Sequence, residues 1–319
     1  MISIPTQIFI TEINQLTESV RNHINTHRYQ VVLLENSDKW NQICSSLDVI
    51  GDSLLAIEAY QVAEYPNNGG LKYIYTYGVL QALFILQDAV THLSEAFEIS
   101  SQASQVLLDI RNMRNAAIGH PTKQDYKGQR YYNYISRITM TKSGFELLRH
   151  SRPSQFDIVR VNLDKAIFDQ LNELIGSLRQ TVSKLEEFDA MHKGKFQGSP
   201  LESIFHSGMG YFFEKISQGI QSQSTGDREF GQVNLRLVRE TYENFKIALQ
   251  ERKELNSYTE FDLDEYSHAL DKLDSYFDNP NGTMEEADAR IYLSYLRNEH
   301  KHFVEIAKEI DTDYQSKTK

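Results

Sequence analysis

The chain has 319 residues, room for roughly two domains of ordinary size, and its 40% apolar and 24% charged residues exclude wholesale disorder. Six prolines and sixteen glycines suit long helices better than an all-β architecture, and a net charge of −11 argues against indiscriminate nucleic-acid binding, because an anionic surface repels phosphate. One cysteine, Cys44, excludes an internal disulfide and, with no signal peptide in view, sets the expectation of a cytoplasmic protein.

Taken in chain order, residues 8–24 carry Ile13, Leu16 and Val20 at helical spacing. Residues 29–34 fit either a short strand or the lead-in to the next helix. Residues 40–62 repeat Ile43, Leu47, Ile50, Leu54 and Ile57 every three to four positions, with Ser37 or Asp38 as the expected N-cap. A turn cluster at 66–70 precedes the most hydrophobic helix, 71–97. Its apolar run 79–86, broken by Gln81, is too short to span a bilayer, so no membrane partner is expected. A helix from about 103 places Val106, Ile110, Met113 and Ala117 on one face and stops at Gly119-His120-Pro121.

The pattern then changes. Residues 131–140 alternate and are rich in Tyr and Ile, 141–144 reads as a turn, and 145–148 and 156–163 read as extended. Helical spacing resumes over 165–188, and 192–200 is the expected linker. Helices follow near 201–220, 230–254, 262–277 and 283–310. The expected fold is mainly α: a helical bundle over 1–191 with a small basic β-hairpin insertion near 126–163, then an acidic four-helix unit over 201–319.

Charge is distributed unevenly. Residues 111–165 hold eleven Lys or Arg against four acids, a net of +7 that leaves 22 cations against 40 acids elsewhere. Tyr126, Tyr131, Tyr132, Tyr134 and Phe145 lie among these cations. Aromatics interleaved with positive charge suit single-stranded RNA, where unstacked bases lie on rings and phosphates meet charge. Arg111, Lys123, Lys127, Arg130, Tyr132, Arg137 and Lys142 are the expected RNA-binding residues.

Within this segment, Arg114 and Asn115 are followed by His120 after four further residues. An Arg, a polar neighbour and a His at this distance on one helix resemble the signature of the HEPN superfamily of helical ribonucleases. The resemblance implies metal-independent endoribonuclease chemistry with no cofactor. His120 would be general base or acid, Arg114 would stabilise charge and Asn115 would position the phosphate or imidazole. It further implies a toxin or antiviral-defence setting, a homodimer through the N-terminal bundle and a protein partner or antitoxin. The residue types suit that chemistry, since His titrates near neutral pH and a forked guanidinium stabilises the charge gained by a phosphorane. On a straight α-helix, however, residues six apart lie about 120° apart, so Arg114 and His120 are not expected to share a face. The alternative is a non-catalytic RNA- or nucleotide-binding or protein-interaction module on the same bundle.

Two other segments fit the same pattern. Arg21, Asn22 and His27 read as an exposed helix face, and Arg297, Asn298 and His302 as a secondary candidate motif in a degenerate second domain. Two Glu-x-x-His pairs, Glu265 with His268 and Glu299 with His302, suggest a metal site in form only. Glu265 and His268 fall off the inward stripe of their helix, and no metal is expected.

Overall fold

The computed structural model describes residues 4–100, 102–152, 155–222, 224–279 and 282–316, with residues 4, 5, 126, 152 and 155 described by backbone alone. The protein is mainly α-helical with one small antiparallel sheet. It divides into two compact units, Met1–Thr26 with Val32–Leu185, and His27–Val31 with Glu186–Lys319.

The first unit begins with α1 (Ile4–Asn25). Residues 27–34, open between strand and helix on sequence grounds, form a helix, α2 (His27–Leu34), divided between the units. In α3 (Ser37–Val62) the N-cap is Asn36, whose Oδ1 accepts the Lys39 amide at 3.1 Å; Ser37 and Asp38 are already in the first turn. Asn68 caps α4 (Gly69–Ala96) in the same way, accepting from Leu71 at 3.0 Å. The repeat Ile43, Leu47, Ile50, Leu54 and Ile57 is fully buried where α3 packs along α4, as are Leu80, Leu83 and Leu86. Burying each such side chain contributes about 1.5–3 kcal/mol.

Two glutamines lie within this core. Gln87 of α4 donates to Gln170 Oε1 at 2.7 Å, and Gln170, on α6 (Leu163–Phe196), donates to the Leu83 carbonyl at 2.8 Å. A buried amide costs free energy unless its donors are satisfied, so this pair holds α4 and α6 in one register. Gln87 also reaches the Leu107 carbonyl of α5 (Gln105–Arg114) at 3.3 Å, tying the motif helix to the core.

The expected hairpin with a third strand is a four-stranded antiparallel meander: β1 (Gln124–Tyr126), β2 (Gln129–Ile135), β3 (Gly144–Arg152) and β4 (Gln155–Asn162). Lys127 and Gly128, both at positive φ, make the two-residue turn between β1 and β2 that fits strand twist. The strand expected over 131–140 ends at Ile135, because Arg137–Thr139 winds into a 3-10 turn. At Gly144 a Cβ would sit 1.9 Å from the Val161 carbonyl oxygen, so only glycine permits the β3–β4 approach there. Phe145, Leu147 and Val161 point into the core.

The second unit contains a 3-10 turn at Leu201–Ile204 followed by α7 (Met209–Gln221), α8 (Thr225–Arg252), α9 (Ser257–Asp278) and α10 (Glu286–Gln315). Phe213, Leu235, Phe245, Tyr266, Leu270 and Phe303 form its core. The expected linker at 192–200 is a correction: α6 continues to Phe196, and Asp189 and Lys193 are buried. The reason is Arg28. Its guanidinium, 6% exposed, donates to Asp189 at 2.7 Å, Glu254 at 2.9 Å and Asp313 at 3.0 Å, while Lys193 joins Asp189 at 3.0 Å and Asp313 at 3.1 Å. No helix among the described residues is long and apolar enough to cross a membrane.

This cluster sets an acid limit on stability. Burial alone would raise the Asp189 carboxyl, but hydrogen bonds from Tyr29, Arg28 and Lys193 outweigh it and bring it down to about 2. A carboxyl depressed on folding stabilises fully above its unfolded value near 3.9, and that contribution is lost as pH falls through about 2. Asp189→Asn should therefore cost about 2–4 kcal/mol at pH 7 and flatten the acid limb of stability below pH 4. Denaturant titration from neutral to acid pH checks this, and an acid limb unchanged in the variant would refute it.

Candidate active site

α5 is capped by Ser104, whose hydroxyl accepts the Leu107 amide at 3.3 Å, and it buries Leu107 and Ile110. Of the expected inward face, Ile110, Met113 and Ala117 pack into the core, whereas Val106 is exposed and Leu107 takes its place. Arg111 and Arg114, three apart, project onto α4, which answers with Gln81, Phe84 and Asp88 at i, i+3 and i+7. Arg111 pairs with Asp88. Arg114 meets a different environment: it donates to Gln81 Oε1 at 2.6 Å and to Asn115 Oδ1 at 3.0 Å, and its guanidinium carbon lies 4.3 Å from the Phe84 ring centroid.

Every one of these groups around Arg114 is neutral. The side chain makes no ion pair among the described residues, and its Nε is buried without a hydrogen-bond partner. A cation held in place by amide oxygens and a ring face keeps its full charge for an incoming anion. Arg111, neutralised by Asp88, does not.

The chain then departs from α geometry. Residues Asn115–Gly119 form a π-turn, closed by the His120 amide donating to the Asn115 carbonyl at 2.7 Å. The turn brings Gly119 against the Arg114 and Asn115 side chains and sets the His120 amide on the Asn115 carbonyl. Arg114, Asn115 and Gly119 are thereby grouped, with His120 next in the chain. Gly119 leaves room for the guanidinium, since a Cβ would fall 2.7 Å from Arg114 Nη1 and 3.1 Å from Asn115 Oδ1 and the arginine would have to shift. His120 leaves the helix at φ −138°, ψ 52° and is exposed. The chain after it is fixed to the sheet by the Asn133 amide, which donates to the Pro121 carbonyl at 2.8 Å.

The other two motif matches do not form patches. Arg297 and His302, five apart on a regular α-helix, project about 140° apart. Arg297 donates to the Phe213 carbonyl at 2.8 Å, whereas His302 lies 3.8 Å from Asp262 and Asn298 is exposed. Arg21 pairs with Asp48 at 2.8 Å, and His27 lies 3.2 Å from the Leu255 carbonyl. Among the described residues no group of three or more His, Cys, Asp or Glu is placed to hold a metal ion.

The expected RNA-binding cations have separate fates. Lys142 donates to the carbonyls of Gln61 and Ala63 at 2.7 and 2.6 Å, closing the C-terminus of α3, so it is a cap. Arg111 is spent on Asp88, and Arg130 pairs with Asp125 at 2.9 Å on the surface. Lys123, Lys127 and Arg137 are exposed. Of the aromatics, Phe145 is core, Tyr131 carries the Arg149 guanidinium at 5.1 Å, Tyr132 and Tyr134 are exposed, and the Tyr126 side chain lies outside the described residues.

The residues that orient Arg114 went unread in the sequence. Gln81 was visible only as a polar break in an apolar run, and Phe84 as one more core residue. The signal was the spacing of Gln81, Phe84 and Asp88 on one helical face. Comparison of the chain with protein-family models, curated proteins and solved structures finds no match.

Because Lys142 caps a helix, Lys142→Met should lower stability by about 1–2 kcal/mol, leaving two carbonyls at the end of α3 short of a donor. RNA affinity should stay at the parent value. A filter-binding loss without any fall in melting temperature would return Lys142 to an RNA-contacting role.

Proposed function

We propose that the chain is a HEPN-like, metal-independent endoribonuclease acting through Arg114, Asn115 and His120. What supports this reading is the π-turn, which packs Gly119 against a guanidinium held only by neutral partners and ends at the exposed His120. His120 takes the proton of a ribose 2′-hydroxyl, and the 2′-oxygen bonds to the adjacent phosphorus. Arg114 offsets the charge that builds on the phosphorane, and Asn115 orients Arg114 and the phosphate. The bond to the 5′-oxygen then breaks, and that oxygen takes the proton that His120 now carries, giving a 2′,3′-cyclic phosphate and a 5′-hydroxyl. A toxin or antiviral-defence role follows from the resemblance alone.

Incubation with labelled RNA in EDTA tests the chemistry. Cleavage should persist in chelator and fall by about 10²–10⁴ on His120→Ala. Gly119→Ala should fall at least about tenfold, because the new methyl must displace the guanidinium, while stability changes by less than about 1 kcal/mol. Absence of cleavage for any RNA, or cleavage indifferent to His120, sinks the enzyme reading. The reading that remains is a non-catalytic RNA- or nucleotide-binding module, favoured by the fact that two Arg114 nitrogens are already engaged.

One patch supplies one histidine and one arginine, and a two-fold pairing of chains would bring four groups around one phosphate. Supporting such a pairing, α4 exposes Ile74, Tyr77 and Ile85 on the face that carries Gln81, an apolar stripe beside the patch. Light scattering at micromolar concentration should give a dimer, and Ile74→Asp should dissociate it and reduce cleavage. A parent chain that runs as a fully active monomer contradicts the shared site.

A further inference from the structure

The outward face of the sheet presents two cross-strand rows. Pairing places Tyr132 opposite His150 and His150 opposite Phe156, and in the next row Tyr134 opposite Leu148 and Leu148 opposite Ile158. In the first row the ring centroids are 6.3 Å apart between Tyr132 and His150 and 4.6 Å between His150 and Phe156. These are not core residues: Phe156 is 65% exposed, Ile158 63% and Tyr134 57%. Apolar strand residues facing water cost free energy that a protein with this much polar sequence could avoid. Their alternation with the buried Phe145, Leu147 and Val161 puts them on the opposite face of the same strands.

Charge indicates what covers the face. Residues 123–162 hold eight Lys or Arg and three acids in a chain of net charge −11. Arg130 and Arg160 lie on the strands at opposite corners of the rows. Each is held by one surface ion pair, Arg130 to Asp125 at 2.9 Å and Arg160 to Glu146 at 3.4 Å, and the Arg160 side chain is 88% exposed. Exposed pairs of this kind contribute little to stability, so a phosphate can take either guanidinium at little cost. A second copy of the same face would bring like charge against like. The partner that suits rings flanked by weakly paired, exposed cations is an anion with flat apolar faces.

We propose that this face binds single-stranded RNA, stacking unpaired bases on the Tyr132–His150–Phe156 row with the backbone phosphates on Arg130 and Arg160. A duplex hides its base faces within its own stack, so the face selects unpaired segments. The preference for ribose rests on the cleavage reading above; the preference for single strands does not. The site differs from the Arg114–His120 patch in its residues and its role: it holds the strand and touches no reacting atom.

The test uses the full chain carrying His120→Ala, so that the probe survives, with a fluorescein-labelled oligouridylate of about fifteen nucleotides in EDTA and low salt. Anisotropy should show the single strand bound at least about tenfold more tightly than a duplex of equal length. Tyr132→Ala and Phe156→Ala should each weaken binding by roughly tenfold, while Phe156→Tyr, which keeps the ring, should stay within about twofold. Arg160→Glu should weaken binding and reduce its salt dependence. Unchanged melting temperatures show that these exposed substitutions leave the fold intact. Equal affinity for duplex and single strand, alanine variants that bind like the parent, or no binding at all would overturn the proposal. A dimer that Phe156→Ala dissociates would also overturn it and assign the face to a second copy. Binding that behaves as expected in a chain whose parent never cleaves RNA leaves this proposal standing and removes the ribonuclease.

Discussion

A guanidinium removed from water must answer for one charge and five donors, and each unit of this protein is organised around such a group. In the second unit Arg28 is surrounded by Asp189, Glu254 and Asp313, so its charge is cancelled and residues 27–31 are held within that unit. In the first unit Arg114 is held by two amide oxygens and a phenyl face, so it is positioned but its charge is not cancelled. Both leave Nε buried without a partner. The difference lies in the neighbours: carboxylates make Arg28 a structural clasp, whereas neutral groups leave Arg114 electrostatically available. Asp88 marks the boundary, pairing with Arg111 one turn away.

That arrangement needs the helix to break its own rule. The regular α-helix ends at Arg114, and the π-turn adds one residue to the last turn and closes with the His120 amide on the Asn115 carbonyl. Gly119 makes the turn compatible with a guanidinium lying across it. The buried Gln87–Gln170 pair is the support behind this, because it fixes α4 against α6 and so fixes the face on which Gln81, Phe84 and Asp88 meet α5. Core polarity and site geometry are thus one chain of contacts.

The basic segment shows how a charge count differs from a charged surface. Of its cations, Lys142 closes α3, Arg111 answers Asp88 and Arg149 lies on Tyr131. What remains accessible is gathered at the sheet: Lys123, Arg137 and the two weakly paired arginines at 130 and 160. Sequence proximity grouped all of these as one anion-binding set. Tertiary structure divides them by which ones have carbonyls or carboxylates within reach.

Local pattern was enough for the helices. Ile43 to Ile57 in α3 and Leu263 to Phe277 in α9 repeat at three to four residues, and such repeats determine a helix with one buried face whatever it packs on. The mainly α class and the β insertion were legible for the same reason, since each is a short-range signal. Longer-range features were not. Residues 192–196 read as linker because Gly194 and two lysines signal a break, yet they continue α6 through a helix end that carries Lys193 into the Arg28 cluster, where it meets Asp313, 120 positions away. The cap role of Lys142 depends on carbonyls some 80 residues earlier, and the exposed row of Tyr132, His150 and Phe156 depends on strand register. Periodicity tells which face of an element is apolar. What that face meets, and whether a charge finds its opposite, is decided only when distant segments are brought together.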